Sequence, residues 1–146
     1  MDSLTIFIKF LQACITPVAM ISGVGLLLLF ITNRLGRTID RTRQLIAELD
    51  KPIVERPREK KNEVKIFISR SRLLRNSIAW MIIGMIWSSM IIPVLFIMSF
   101  TTIDLRMFGY TFFLISIISN FISLVYFFKD VLWSLKAIQL EAKDYL

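Results

Sequence analysis

Three long stretches of this chain carry no Asp, Glu, Lys or Arg: Phe10 to Asn33, Asn76 to Ile103 and Met107 to Phe128, of 24, 28 and 22 residues. Each exceeds the roughly 20 residues that cross about 30 Å of hydrocarbon at about 1.5 Å per helical residue. Together they take up half of the 146 residues, and 55% of the chain is hydrophobic, which no single water-soluble core of this size can use. The runs therefore predict an all-α integral membrane protein with three transmembrane helices, at about 10–33, 77–100 and 107–128. In lipid the backbone must satisfy its own hydrogen bonds, and helices do so within each segment. The first run starts close to Met1, but its apolar stretch is long and it ends on Arg34 and Arg37 like a stop-transfer boundary. It is expected to stay in the mature protein as a span.

The charged residues orient this plan. Of the 18 Lys and Arg, thirteen lie between Arg34 and Arg75, against six carboxylates there, a net of +7 that equals the charge of the whole chain. Cytoplasmic loops attract Lys and Arg, so the 34–75 connection is expected inside, with the N-terminus outside and the C-terminus cytoplasmic. Two readings of the cluster stay open: a purely topogenic one, and contact with anionic lipid headgroups through Arg34, Arg37, Arg41, Arg72 and Arg75. The latter is worth about 1 kcal/mol per cation near the surface. Nucleic acid is disfavoured, because acids interleave with the bases and no aromatic platform accompanies them.

Between the spans the pattern stays helical. Leu35, Ile39, Thr42, Ile46 and Leu49 recur at steps of four and three, and Val64, Phe67, Ile68, Ser71, Leu74 and Ile78 form a second stripe. Asp50, Lys51 and Pro52 separate them, so 34–75 reads as a basic helical hairpin. Val131, Leu135, Ile138, Ala142 and Tyr145 make 129–146 an amphipathic C-terminal helix. The three stripes either bury one another as a bundle, the favoured reading, or lie in the headgroup layer.

Within the spans, small residues mark close helix approach. Ala19, Ser22, Gly23 and Gly25 in the first span, and Gly84 and Ser88 in the second, are the candidates. Pro17 and Pro93 each remove a helix donor and are expected to kink their spans. The third span carries a polar stripe of Ser116, Ser119, Asn120 and Ser123. It serves either interhelical hydrogen bonding or a hydrated path. So thin a structure is expected to form a homo-oligomer.

Chemistry is excluded more firmly than it is assigned. Histidine is absent and Cys14 is the only cysteine, so neither the usual general base nor a thiolate metal cluster is available. No phosphate loop follows Gly23 and Gly25, and no carboxylate falls inside the three uncharged runs. No enzyme activity, metal or cofactor is expected. The functional expectation is an oligomeric scaffold or partner-binding subunit that touches anionic lipid and docks a protein partner. The alternative is a small homo-oligomeric channel or permease lined by the third-span polar residues.

The stretch from Pro17 to Arg43 resembles the signature of a family of small bacterial membrane proteins, domain of unknown function 2721. The resemblance rests on Pro17, Ile21-Ser22-Gly23, Gly25 with four following Leu, Asn33-Arg34, Arg37, Asp40-Arg41 and Arg43. It continues more loosely through Arg70, Arg72 and Leu73 to Arg75, and through Phe128 to Gln139. It implies a multi-pass protein of the bacterial cytoplasmic (inner) membrane with this three-span plan, and it brings no activity with it.

Overall fold

A computed structural model describes residues 3–49, 57–101 and 103–143, and all regular structure among them is α-helical. Helix α1 runs over Ser3–Leu49, α2 over Pro57–Ser89, α3 over Ile91–Phe100 and α4 over Arg106–Lys143. Three segments are long and apolar enough to cross a membrane: Leu4–Leu49, Lys60–Phe100 and Arg106–Leu135. Large apolar side chains on them point outward, Leu26 at 71% exposure and Phe121 at 66% among them, the reverse of a soluble core. The chain is a multi-pass membrane protein by this distribution of length and surface.

The helix boundaries follow local chemistry. Pro93 has no N–H to give the carbonyl of Ser89, and its ring crowds that position, so the second span breaks at Met90. The break is one residue long: Met90 keeps helical angles (φ −67°, ψ −14°) and its N–H still reaches Ile86 O at 3.1 Å. Pro17 lies inside an uninterrupted α1. At the start of α4, the Asp104 carboxylate accepts the Arg106 N–H at 3.1 Å. The third span and the amphipathic segment expected after it are one continuous helix. Side chains beyond Leu135 are not described, and Tyr145 and residues 50–56 lie outside the described residues.

The described residues fall into two compact units. The first draws on Met1–Leu28 and Ala79–Ile122, the second on Leu29–Ile78 and Ser123–Leu146. In the first, Phe10 meets Phe96 edge-on at 5.9 Å and Trp87 meets Phe112 at 5.2 Å, while Met81 and Ile91 are buried. In the second, Ile31, Leu45 and Leu74 are buried, and Lys60 Nζ pairs with Glu48 at 2.9 Å across the two arms of the hairpin. Of the three expected stripes, Leu74 of the second is buried, whereas Ile46 of the first and Leu135 of the third are exposed.

The buried positions differ from the stripes read off the sequence. On α1 the fully buried residues are Pro17, Ile31, Thr38 and Leu45, all in one seven-residue series, while Leu35, Ile39, Thr42 and Leu49 of the expected stripe are half-buried and Ile46 is exposed. On α2, Leu74, Ser77, Met81, Gly84 and Ser88 are buried at alternating steps of three and four. These are the seams of closely packed helices. Polar residues can occupy them because their donors are satisfied: Thr38 Oγ1 gives its proton to Arg34 O at 3.0 Å.

A buried carboxylate held by two arginines

In the first unit two serines of the α4 polar stripe bond to the backbone of α2. Ser116 Oγ donates to Gly84 O at 2.8 Å, and Ser119 Oγ donates to Trp80 O at 3.0 Å. Asn120 packs on Gly84 so closely that a Cβ there would lie 2.7 Å from Asn120 Oδ1. That oxygen and Ser88 Oγ are buried without a hydrogen-bond partner among the described residues. Of the two readings of the stripe, interhelical hydrogen bonding describes its three serines. A separate, mainly apolar cavity of about 410 Å³ lies against Pro17, Ile91, Val94, Met98 and Tyr110, with Arg106 among its lining.

In the second unit Ser77 and Ser123 bond reciprocally, each hydroxyl to the other's carbonyl at 2.8 and 2.7 Å, with the two Oγ atoms 3.0 Å apart. Seven residues beyond Ser123, on the same face of α4, stands Asp130. Its side chain is fully buried, at 0% exposure. Arg34 of α1 donates Nε–H to Oδ2 at 2.8 Å, and Arg70 of α2 donates Nε–H to Oδ1 at 3.2 Å. One carboxylate therefore ties three helical segments together, with one oxygen for each guanidinium.

The energetics make this a demanding arrangement. A lone buried carboxylate near hydrocarbon would cost several kcal/mol of lost hydration, and two charge-assisted hydrogen bonds offset that cost. Both guanidiniums are also steadied by rings: the Arg34 Cζ lies 5.7 Å from the Phe127 centroid, and the Arg70 Cζ lies 5.4 Å from that of Phe67. Their side chains are 23% and 12% exposed, so they reach from the buried acid toward the surface. Beside them opens a cavity of about 310 Å³ lined by Arg34, Arg37, Thr38, Phe67, Arg70 and Ser134.

The five arginines grouped from the sequence do not share one site. Arg34 and Arg37 line the cavity beside Asp130, whereas Arg72 and Arg75 line a second one, of about 230 Å³, with Arg43 and Thr42. Arg41 is exposed and lines neither. Ala19, Ser22 and Gly23 are exposed, and a Cβ added to Gly23 or Gly25 would meet nothing within 4 Å. Pro17, Gly84 and Ser88 are buried. Among the described residues no group of three or more Cys, Asp or Glu is placed to hold a metal ion.

Asp130 and Arg70 escape a reading based on uncharged runs, because both lie beyond the runs' ends. A signal was available. Ser116, Ser123 and Asp130 stand at intervals of seven, so the polar stripe of the third span continues to an acid set among Phe127, Phe128, Val131 and Leu132.

Three apolar helices of spanning length, cross-braced by serines and by a buried ion triad, define a small α-helical multi-pass membrane protein. Residues 14–140 match the family described as Protein of unknown function (DUF2721), and the chain belongs to that family. No curated protein matches the chain. No solved structure matches it either.

Proposed function

We propose that the protein is a non-enzymatic scaffold or partner-binding subunit of the bacterial inner membrane, acting as a homo-oligomer and contacting anionic lipid through a cytoplasmic basic layer. The observation that carries this reading is the state of the cations in the second unit. Arg37, Arg41, Arg43, Arg72 and Arg75 are all exposed, and among the described residues none of them forms an ion pair. Arg34 and Arg70, by contrast, are committed to Asp130. Exposed cations near the ends of apolar spans are suited to anionic headgroups, at about 1 kcal/mol each. The exposed small-residue face of Ala19, Ser22 and Gly23 is where a second copy could pack closely.

The test is lipid retention by the purified full chain. Delipidated protein offered equal amounts of phosphatidylglycerol and phosphatidylcholine should retain the anionic lipid preferentially by native mass spectrometry, and less so as salt rises. Equal retention of the two overturns the lipid contact. Oxidation of Cys14 to a covalent dimer would support pairing through α1. The channel reading has less behind it, since the hydroxyls of Ser116, Ser119 and Ser123 are bonded to backbone carbonyls. Solute flux through reconstituted protein that Asn120→Leu abolishes would revive it.

A further inference from the structure

The cavity beside Asp130 has the geometry of a recognition site rather than of a general basic surface. Each guanidinium uses its Nε on the carboxylate, and among the described residues neither Arg34 nor Arg70 donates a hydrogen bond from its Nη nitrogens. Those nitrogens belong to side chains that line the cavity. Arg37, exposed and without an ion pair among the described residues, lines it as the third cation. Ser134, whose side chain is half-buried, and Phe67 complete the lining.

Two guanidiniums whose positions are fixed by a buried acid and by aromatic rings lose little freedom on binding an anion. Guanidinium forks match the oxygens of a phosphate. Three arginines and Asp130 leave a local charge of +2, which a phosphomonoester dianion neutralises and a phosphodiester monoanion does not. The volume, about 310 Å³, stands at the small end of ligand pockets and suits a headgroup-sized anion. Arg34 directly follows the first uncharged run and Asp130 lies two residues past the third, at the depth where spans meet headgroups.

We infer that Arg34, Arg37 and Arg70, with the first and last braced on Asp130, form a site for a terminal phosphate group, carried by a phosphomonoester lipid headgroup or by a small soluble phosphate. The inference rests on the anionic-lipid reading and narrows it to one site and one phosphate chemistry.

The experiment is calorimetric titration of the full chain in neutral detergent with dihexanoyl phosphatidic acid, dihexanoyl phosphatidylglycerol, dihexanoyl phosphatidylcholine and inorganic phosphate. An additional charge-assisted interaction should make phosphatidic acid bind about tenfold tighter than phosphatidylglycerol. Arg37→Gln, at an exposed position, should fold normally and lose that preference. Arg41→Gln removes the same charge outside the cavity and should keep it. Inorganic phosphate binding as tightly as phosphatidic acid, with the same dependence on Arg37, supports the site and assigns its occupant to solution. If both anionic lipids bind alike and the two variants weaken them equally, the site is overturned while the basic-layer reading stands. If neither anionic lipid binds better than phosphatidylcholine, both fall.

Discussion

Asp130→Ala is the substitution from which the structure predicts the largest loss. It deletes both acceptors of the Arg34 and Arg70 guanidiniums and leaves two cations, 23% and 12% exposed, facing each other across an empty position. Breaking a buried pair by removing one partner costs about 3–5 kcal/mol. The guanidiniums keep some access to water, so the lower end, about 3 kcal/mol, is expected. The measurement is reversible unfolding of the purified chain in mixed micelles of rising sodium dodecyl sulfate content, followed by circular dichroism. Replacing the whole triad by apolar residues, Asp130→Leu with Arg34→Met and Arg70→Met, should recover stability to within about 1 kcal/mol of the parent, because no uncompensated charge then remains. A loss below about 1 kcal/mol for Asp130→Ala, as in an exposed pair, would refute the burial argument. So would a triple variant no more stable than the single one.

Three smaller effects follow from the same contacts. Ser77→Ala and Ser123→Ala should each cost about 1 kcal/mol, and the double variant less than their sum, since the two residues share one reciprocal pair; additive losses in the same unfolding assay would contradict the pairing. Gly84→Ala places a methyl group 2.7 Å from Asn120 Oδ1, so it should destabilise by about 1 kcal/mol, and adding Asn120→Ala should restore the loss. An unaltered deficit in that double variant would mean that the two helices meet elsewhere. Lys60→Ala should change stability by less than about 1 kcal/mol, because the Lys60 and Glu48 side chains remain 29% and 37% exposed.

The spans were legible because burying 74 uncharged residues admits few solutions other than a membrane. Pro93 announced its own break, and the serines of α4 announced a polar face. The partners of that face were not legible, since backbone carbonyls such as Gly84 O and Trp80 O leave no mark in a sequence. The face of α1 was misjudged at Ile46, where apolarity suggested burial. The buried position is Leu45, in the same seven-residue series as Thr38, whose hydroxyl bonds back to its own helix. Arg34 looked like one of several surface cations. Its difference from Arg37 and Arg41 depends on Asp130, 96 residues away in sequence. Ala19, Ser22 and Gly23 have the composition of a packing face, yet no contact within one chain uses Gly23.

The proposed lipid contact requires the basic segment to face the cytoplasm. With Cys14 replaced by Ala, single cysteines at Arg41 and at Asp104 can be challenged with a membrane-impermeant maleimide in intact bacterial cells. Asp104→Cys should label in intact cells, and Arg41→Cys only after permeabilisation. Labelling of Arg41→Cys from outside, with Asp104→Cys protected, would contradict the proposed orientation and the cytoplasmic lipid contact built on it.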